Sequence, residues 1–268
     1  MNALCQMTGL NRAGFYRWRL PRQATPVEMQ LRDQMQKVAL ESPAYGYRRI
    51  TCELQQRGFE VNHKRVLRMM REDNLLCVRR RAFVITTDSR HNLPVYPNLA
   101  REIKPTAINQ LWVADITYIR LRAEFVYLAV VLDAFSRRVI GWALGRTLAA
   151  ELAVTALRMA LIERQPLPGL VHHSDRGVQY ASTNYTEMLK QHHVTISMSR
   201  KGNPYDNAAC ESFMKTLKQE EVYRNEYRDF HEAHACIGEF LECIYNQKRL
   251  HSALGYVPPA EFENGATQ

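Results

Sequence analysis

The sequence predicts an α/β fold, in which helices pack on a mixed β-sheet, preceded by a small all-helical region. Residues 111–144 contain three stretches rich in β-branched and aromatic residues with short turns between them, which is typical of consecutive antiparallel strands. Helical and strand-like stretches then alternate over residues 151–199, which indicates a sheet with crossover helices. The first hundred residues show helical spacing and a different charge balance, so we expect them to form a separate region.

The positive charge of the chain is concentrated in that first region. Residues 1–100 contain 17 Lys and Arg against 8 Asp and Glu, whereas residues 101–268 contain 19 of each, which accounts for the net charge of +9. A basic region beside a neutral one indicates a surface for a polyanion, and nucleic acid is the first candidate. An ordinary solvated basic surface would give the same balance, so the choice depends on the motifs.

Composition argues against several other classes. The 268 residues, 46% of them apolar, can form a packed core. The six cysteines are scattered without a C-x-x-C pair, so we expect a reduced, cytoplasmic protein rather than a disulfide scaffold. No apolar run approaches about 18 residues and the start of the chain is too polar for a signal peptide, so neither secretion nor a membrane span is expected.

The region over residues 1–76 is predicted to be helical. Residues 1–22 have the pattern of a short helix, a turn and a second, basic helix, which resembles half of a helix-turn-helix. Residues 26–76 show apolar helical spacing, with Gly58 between the last two helices and Asn62 as the N-cap of the last. The apolar positions are Val27, Leu31, Met35, Val38, Tyr47, Ile50, Leu54, Val66, Met69 and Met70.

The last of these helices has a basic face opposite its apolar stripe. That face contains His63, Lys64, Arg65, Arg68 and Arg71. A helix that binds a DNA groove needs such a face, but a plain three-helix bundle with a solvated basic side explains the spacing equally well. Contact with phosphates is better supported than recognition of bases.

Residues 77–108 form a predicted linker between this region and the sheet. They contain three consecutive arginines at 79–81 and prolines at 94, 97 and 105, with little periodicity. From residue 109 the pattern changes to strands, so a domain boundary is expected near residues 100–108.

The second region has a predicted element order of three strands, helix, strand, helix and strand. This order specifies a mixed sheet with helices on its faces, the ribonuclease-H-like arrangement, although a doubly wound fold shares the second half. The strands are predicted at 111–121, 124–135, 137–144, 169–175 and 194–199, and the helices at 151–165 and 182–193.

Three acidic residues are candidates for a catalytic or metal-binding site. Asp115 interrupts an apolar strand in VADIT, where an ionised carboxylate is costly unless it is paired, hydrogen-bonded or bound to metal. Asp175 follows the next buried strand, at the end where such sheets bind ligands, although a turn-forming role before Gly177 is also open. Glu211 begins a helix capped by Asn207 or Asp206, and taken singly it is better explained as a first-turn acid.

Together the three acids predict a metal site. Hard cations such as Mg²⁺ prefer carboxylate oxygens, and two ions about 3.5–4 Å apart can stabilise both the attacking and the leaving oxygens. Lys215 and Lys218 follow Glu211 by four and seven residues on one helical face, next to the apolar stripe of Cys210, Met214 and Leu217. Glu211 and Lys218 are therefore expected to face one DNA strand while the stripe packs inward.

Several other residues have alternative interpretations. Asp133 is interpreted mainly as a strand-end turn residue, and Asp206 as a turn or cap. His172 and His173 are expected to be satisfied by neighbours near the strand end rather than catalytic. A zinc site from His231, His234, Cys236 and Cys243 lacks the usual ligand spacing, and Trp112, Trp142 and Tyr118 are assigned to the core.

A resemblance to a known family rests on several strings in order. They are YGYRRI (45–50), LWVADITYI, HHSDRGVQY (172–180), NPYDNAACESFMKTLK, and YNQKRLHSALGYVPPAEF (245–262). With 60 residues from Asp115 to Asp175 and 35 between Asp175 and Glu211, the chain resembles the Asp-Asp-Glu integrase core. It looks like the OrfB product of the bacterial insertion-sequence-three transposase family over nearly its whole length.

The resemblance implies a function and a set of partners. Asp115, Asp175 and Glu211 would bind two Mg²⁺ ions, with Mn²⁺ as a substitute, and Lys218 would contact terminal DNA. Further DNA contacts are assigned to Lys215, Lys64, Arg65, Arg68, Arg48 and Arg49. Self-association on DNA is implied, as is an upstream-frame product that supplies terminal-repeat binding and a coiled coil; no such heptads occur in this sequence.

The expected activity is cleavage and strand transfer at the ends of an insertion sequence. The catalytic core is assigned to residues 109–225, and residues 226–268 are a C-terminal helix and tail that complete it. Two alternatives stay open: a DNA-binding regulator or inhibitor whose acids are only structural, and a nuclease of the same fold that hydrolyses DNA without joining it.

Overall fold

The computed structural model describes residues 25–75, 94–199 and 208–266, together with Asn11 and Ala13. The chain divides into two compact units, Met1–Cys77 and Val78–Gln268. Apart from Asn11 and Ala13, the helix-turn-helix half at residues 1–22 lies outside the described residues, as do the arginines at 79–81 and the cap candidates Asp206 and Asn207.

Three helices form the described part of the first unit. Leu31, Met35 and Val38 are buried as the spacing predicts, but Val27 is 67% exposed, so its assignment to the apolar stripe was wrong. Val27 lies in the first turn of its helix, where no side chain of the described unit covers it. The helices are α1 (Pro26–Glu41), α2 (Tyr47–Gln56) and α3 (His63–Glu72).

The ends of these helices follow from local sequence. Gly58 has a φ of +87°, a left-handed conformation that favours glycine, and it follows the end of α2. The side chain of Asn62 accepts hydrogen bonds from the backbone N–H groups of Lys64 and Arg65, both at 3.0 Å. The predicted N-cap is confirmed, and it fixes where the basic helix α3 begins.

A five-stranded mixed sheet forms the centre of the second unit. Its strand order is β3-β2-β1-β4-β5, in which β1, β2 and β3 are antiparallel neighbours and β4 and β5 run parallel to β1. The predicted mixed sheet, with three antiparallel strands followed by two parallel ones, is confirmed. The strands are β1 (Leu111–Arg120), β2 (Phe125–Asp133), β3 (Val139–Gly145), β4 (Val171–Ser174) and β5 (Thr195–Met198).

Helices cover both faces of the sheet. Two of them continue into π-helical turns, Lys218–Val222 and Phe240–Tyr245. No helix of the described ranges is long and apolar enough to cross a membrane. The helices are α4 (Ala150–Arg164), α5 (Val178–Ala181), α6 (Thr183–Gln191), α7 (Ala208–Leu217), α8 (Phe230–Glu239) and α9 (Pro259–Ala266).

Alternation along β1 assigns its side chains to two apolar layers. Trp112 and Ala114 belong to the layer shared with α4 and α6. Leu111 and Val113 belong to the layer shared with α7 and α8. Since successive strand residues point to opposite faces, Asp115 projects to the same side as Val113, towards α7. The strand register therefore directs this carboxylate at the helix that contains Glu211.

Candidate active site

Asp115 is partly buried in the middle of the sheet. It pairs with Val130 of β2, and its own carboxylate accepts a hydrogen bond from the N–H of Ile116 at 2.9 Å. Burial raises the pKa of Asp115 to about 7; the negative charges of Asp175 and Glu211 add to the rise, while Lys218 and the Ile116 hydrogen bond oppose it. The group is thus an acid held among other acids with too little positive charge to balance it.

The register of the parallel strands brings Asp175 beside Asp115. Strand β4 pairs with β1 only from Leu111 to Val113, and Val113 is opposite His173. Asp115 and Asp175 each stand two residues beyond that pair, so the two acids are level on neighbouring chain segments. Because β4 ends at Ser174, no strand of the described residues pairs with this edge of β1 at Asp115.

Asp175 forms the turn before Gly177, which was one of the two roles expected from the sequence. It also lies beside Asp115. Its Oδ1 accepts a hydrogen bond from the N–H of Gly177 at 2.8 Å, and the Ser174 hydroxyl donates to its backbone carbonyl at 3.1 Å. A Cβ atom at Gly177 would lie 2.9 Å from that carboxylate oxygen and 3.0 Å from Oε1 of Gln179. The missing side chain at Gly177 therefore determines where the Asp175 carboxylate can lie.

We predict that Gly177→Ala displaces the Asp175 carboxylate and lowers metal-dependent DNA cleavage by about tenfold or more, since misplacing a reacting group by about 1 Å can cost about a hundredfold. Folding should be nearly unaffected, because Gly177 has an ordinary φ of −63°. Cleavage rates and thermal unfolding would be measured together. Gly265→Ala is the control, because nothing lies within 4 Å of the added carbon. Gly169→Ala is unsuitable, because the φ of Gly169 is +109°, which strains any residue with a side chain. Full activity in Gly177→Ala would contradict the prediction.

Glu211 lies in the first turn of α7 and is exposed to solvent. Cys210, Met214 and Leu217 of the same helix are buried, so the predicted inward stripe is confirmed. Partial burial raises the pKa of Glu211, and its charge acts on Asp115. The third acid thus comes from the helix that packs on β1.

Lys218 begins the π-helical turn that follows α7, so the regular helical spacing used to place it ends at this residue. Its Nζ lies 4.6 Å from the centre of the Tyr118 ring. Burial lowers the pKa of Lys218, and the negative charge of Asp115 opposes that change. Tyr118 was assigned to the core, but it is only partly buried, because β4 ends before reaching this part of β1. Lys215 is exposed one turn before Lys218.

The C-terminal segment holds the end of α7 in place. The guanidinium of Arg249, 5% exposed, donates to both oxygens of Glu220 at 2.8 and 2.7 Å, and to the Thr216 hydroxyl at 3.5 Å. Such a two-bond pair fixes orientation as well as distance. Arg249 belongs to the string YNQKRLH, so the structure gives that string a positioning role that the sequence reasoning did not find.

The neighbouring buried polar groups have structural roles. Asp133 accepts hydrogen bonds from the backbone N–H groups of Asn109, Phe135 and Ser136 at 2.7, 2.9 and 3.1 Å, as expected for a strand-end turn residue. His172 contacts the Tyr185 hydroxyl at 2.9 Å, and burial lowers its pKa to about 3, so it is neutral at physiological pH.

His173 is also satisfied by a neighbour, as expected: its ring contacts the Ser197 hydroxyl at 2.8 Å, and the residue is fully buried. Trp142 is partly buried and packs against the apolar layer shared with α7 and α8, with its ring centre 4.9 Å from that of His234, so it lies at the margin of the core rather than inside it. In the described ranges, no three His, Cys, Asp or Glu side chains already lie in the arrangement of a metal site.

The first unit presents its own basic surface. Lys64, Arg65 and Arg68 of α3 line a cavity of about 560 Å³ together with Thr25 and Glu28. Lys64 and Arg68 are exposed, and Arg68 lies 3.5 Å from Glu72. In α2, the guanidinium groups of Arg48 and Arg49 lie over the rings of Tyr47 and Tyr45, at 5.3 and 5.5 Å.

Comparison with protein-family models defines the class of protein. Residues 26–83 match an HTH-like domain, and residues 105–204 and 192–259 match two models of an integrase core domain. The fold is also that of a simian T-cell lymphotropic virus intasome chain, solved in complex with PP2A regulatory subunit B56 gamma, at a TM-score of 0.51 and 13% identity over 86% of this chain and 74% of that one. The sheet and these matches together define an integrase-core polynucleotidyl transferase.

Curated relatives identify the family. The chain is 40% identical over 266 residues to the 31 kDa protein of insertion element IS600 from Shigella sonnei, with 97% of each chain covered. It is 37% identical over 270 residues to the transposase InsF of insertion sequence IS3A from Escherichia coli K12, covering 98% of this chain and 94% of that one. The chain belongs to the IS3 family of transposases, DNA-binding enzymes that cleave DNA and transfer strands.

Proposed function

We propose that Asp115, Asp175 and Glu211 are the catalytic residues and bind two divalent ions, Mg²⁺ with Mn²⁺ as a substitute. The main support for this proposal is the parallel register of β1 and β4. That register places Asp175 beside Asp115, and the helix that contains Glu211 packs on β1. Carboxylate oxygens are the ligands that such hard cations prefer. The raised pKa of Asp115 supports the proposal, because burial first, and then the negative charges of Asp175 and Glu211, disfavour an ionised carboxylate that a bound cation would stabilise.

The reaction follows from charge and position. Two divalent ions, when bound, neutralise the attacking and leaving oxygens of a phosphodiester during in-line displacement. The protein itself contributes orientation: β1 and β4 hold two acids on the sheet, and the Arg249–Glu220 pair holds the helix of the third. Lys218 and Lys215, on the same side as Glu211, are proposed to bind the DNA strand next to the reacting phosphate.

A second DNA contact is proposed on the first unit. Lys64, Arg65 and Arg68 line the groove beside the N-terminus of α3, where the positive end of the helix dipole adds to their charge. Arg48 and Arg49 of α2 extend this basic surface. Phosphate contact, rather than reading of bases, is the interaction that these residues support.

We predict that Lys64→Ala weakens DNA binding a fewfold at every sequence tested and lowers the salt slope of the binding constant by about 1, because one phosphate contact and its released counterion are lost. The measurement is fluorescence anisotropy of element-end and unrelated duplexes over a series of salt concentrations. Lys37→Ala is the matched control, since it removes an exposed lysine from α1, where Lys37 pairs with Asp33. An unchanged salt slope of the binding constant in Lys64→Ala would show that Lys64 does not contact a phosphate.

The wider organisation is part of the same proposal. Residues 1–76 are assigned to DNA binding, 77–108 to a linker, 109–225 to the catalytic core and 226–268 to the segment that completes it. We further propose that the enzyme acts in the bacterial cytoplasm on the nucleoid, self-associates on DNA, and works with an upstream-frame product that is fused or supplied separately.

The test compares the chain with Asp175→Asn and Glu211→Gln on a labelled element-end duplex, with Mg²⁺ or Mn²⁺ and with or without the upstream-frame product. Loss of both cleavage and joining in each variant, with DNA binding retained, is the expected result. Normal cleavage and joining in either variant would show that the substituted acid is not catalytic. Cleavage without joining in the wild type would indicate a nuclease, and binding without either reaction in any preparation would indicate a regulator.

A further inference from the structure

Two glutamates follow Lys218 directly in the π-helical turn that ends α7. In this turn the backbone N–H of Tyr223 donates to the carbonyl of Lys218 at 2.8 Å, a spacing wider than that of an α-helix. Such turns are rare and often occur at functional sites. Glu220 and Glu221 are mostly buried. Either glutamate, if unpaired, would be a near partner for the Lys218 ammonium, since opposite charges three residues apart attract each other on a helix.

Glu220 is bound by the C-terminal segment instead. The buried guanidinium of Arg249 donates to both of its carboxylate oxygens, at 2.8 and 2.7 Å, and also to the hydroxyl of Thr216 at 3.5 Å. Thr216 and Glu220 stand two residues before and two residues after Lys218. A single side chain with a rigid, forked geometry therefore holds the backbone on both sides of the lysine.

Glu221 is bound by the loop that follows the turn. Its Oε1 accepts hydrogen bonds from the Tyr227 hydroxyl at 2.9 Å and from the side-chain amide of Asn225 at 2.7 Å. Tyr227 is buried, and its carbonyl accepts a hydrogen bond from the N–H of Arg122, in the turn between β1 and β2, at 3.2 Å. The loop is thus fixed to the sheet. We call Glu220, Glu221, Arg249 and Tyr227 the glutamate clamp.

The Lys218 side chain is directed towards the acidic site. Its Nζ lies 4.6 Å from the centre of the Tyr118 ring, and the carboxylate whose charge acts on it is that of Asp115, although Glu220 and Glu221 are much closer along the chain. A lysine has a flexible stem and binds phosphate as a point charge, so its direction must be set by its surroundings. The clamp supplies those surroundings, because it fixes the backbone and occupies both glutamates.

We propose that the glutamate clamp positions Lys218 for its contact with DNA, and that Arg249 and Tyr227 are positioning residues. A misplacement of about 1 Å can cost about a hundredfold in rate, and a released glutamate would compete with the DNA phosphate for the lysine. Arg249 is itself buried, so its effect on DNA passes through the turn. This inference rests on the proposed function, in which Lys218 binds the DNA strand next to the reacting phosphate.

The position of Lys218 is measured first, on the full chain without metal or DNA. The lysines are dimethylated with ¹³C-formaldehyde and observed by NMR, and the Lys218 signal is the one that is absent from Lys218→Arg. The ring of Tyr118 should shift this signal upfield, so Tyr118→Leu should return it to the position of exposed lysines. Arg249→Gln should do the same, and Arg249→Lys should do so in part. Arg164→Gln, which breaks another buried Arg–Glu pair, with Glu263, is the matched control and should leave the signal unchanged.

DNA binding is measured next, by fluorescence anisotropy of an element-end duplex in EDTA over a series of salt concentrations. Lys218→Ala should lower the salt slope of the binding constant by about 1, as expected for the loss of one phosphate contact. Arg249→Gln should lower the slope by the same amount, and it should have no further effect in a chain that already contains Lys218→Ala. The Arg164→Gln control should keep the wild-type slope.

Three results would overturn the inference. The first is an unchanged Lys218 signal in Arg249→Gln. The second is an additive loss of slope in the double variant, which would mean that Arg249 contacts DNA itself. If Arg249→Gln does not fold, Arg249→Lys and Tyr227→Phe, which each weaken the clamp with little change in size, decide the matter: an unchanged signal in both is the third result.

These outcomes are distinguishable from a failure of the proposed function. If Lys218→Ala keeps the wild-type salt slope, the DNA contact assigned to Lys218 in the proposed function is wrong, even where its NMR signal depends on Arg249. If Lys218→Ala lowers the slope while the Arg249 variants keep the NMR signal of the wild type, the proposed contact stands and only the role of the clamp is wrong.

Discussion

Asp115→Asn is expected to lose both DNA cleavage and joining by on the order of a thousandfold or more. Metal ions contribute several kcal/mol to stabilising the charge of a phosphoryl-transfer transition state, and each 1.36 kcal/mol corresponds to about a tenfold change in rate. An amide in place of the central carboxylate removes one of the three acids that are proposed to bind the metal ions. DNA binding should persist, because Lys64, Arg65 and the other basic residues of the first unit are unchanged.

The same substitution is expected to stabilise the metal-free protein. The pKa of Asp115 is about 7 in the folded chain against an ordinary value of 3.8, so protonation is favoured by folding and the ionised carboxylate costs stability. That cost is absent below pH 4, grows as the pH rises from 4 to 7, and is complete above 7. Thermal unfolding of Asp115→Asn should therefore match the wild type near pH 4 and exceed it at pH 8.

Mg²⁺ should reverse the order of stabilities. Ions that bind only the folded wild type raise its free energy of unfolding by mass action, and the Asn variant should respond much less. Asp133→Asn is the matched control. Burial also raises the pKa of Asp133, but both of its oxygens accept backbone hydrogen bonds, so the amide nitrogen of Asn would face a backbone N–H donor. That control should therefore lose stability at pH 8 and keep its response to Mg²⁺. Normal cleavage by Asp115→Asn, or a loss of stability at pH 8, would contradict the assignment.

Gly141→Ala is expected to have the largest effect on folding. A Cβ atom at Gly141 of β3 would lie 2.2 Å from the backbone oxygen of Ala156 and 2.8 Å from the backbone nitrogen of Ala160, both in α4. These neighbours are main-chain atoms, so no rotamer change can relieve the overlap. The helix must move off the sheet, and the loss should reach or exceed the about 1–3 kcal/mol that is usual for overpacking.

Chemical denaturation followed by far-ultraviolet circular dichroism would measure the free energy of unfolding of the Gly141 variant. Gly265→Ala is the control, since nothing lies within 4 Å of the added carbon and alanine is favoured over glycine in a helix. We expect Gly265→Ala to be neutral or slightly stabilising. A Gly141→Ala protein as stable as the wild type would mean that α4 does not pack on β3 as closely as described.

Much of the fold could be predicted because it depends on short-range patterns. Asn62 caps α3 through groups two and three residues away, so its neighbours in sequence were sufficient to identify it. Strands β1 to β3 were found from alternation and turns, and their order needed only adjacent hairpins. The stripe of Cys210, Met214 and Leu217 was likewise read from helical periodicity. Val27 shows the limit of that method, because periodicity does not show where the covering helix ends.

The candidate site was only partly predictable. The sequence singled out Asp115 because a carboxylate in an apolar strand needs compensation, and the spacing to Asp175 and Glu211 gave the resemblance. It did not find the Arg249–Glu220 pair, whose members are 29 residues apart, or the exposure of Tyr118. Both depend on which distant segments meet, and pairwise contact between such segments leaves no periodic signal in either one.

The sequence by itself determined the local elements, the basic character of the first region and the identity of the three acids. Tertiary structure decided how those acids are related, because β4 stops at Ser174 and pairs Val113 with His173. That one register places Asp175 beside Asp115, and no strand of the described residues continues along the edge of β1 next to Tyr118. Strand length and register depend on the balance of packing across the whole sheet, so no single segment of the chain could specify them.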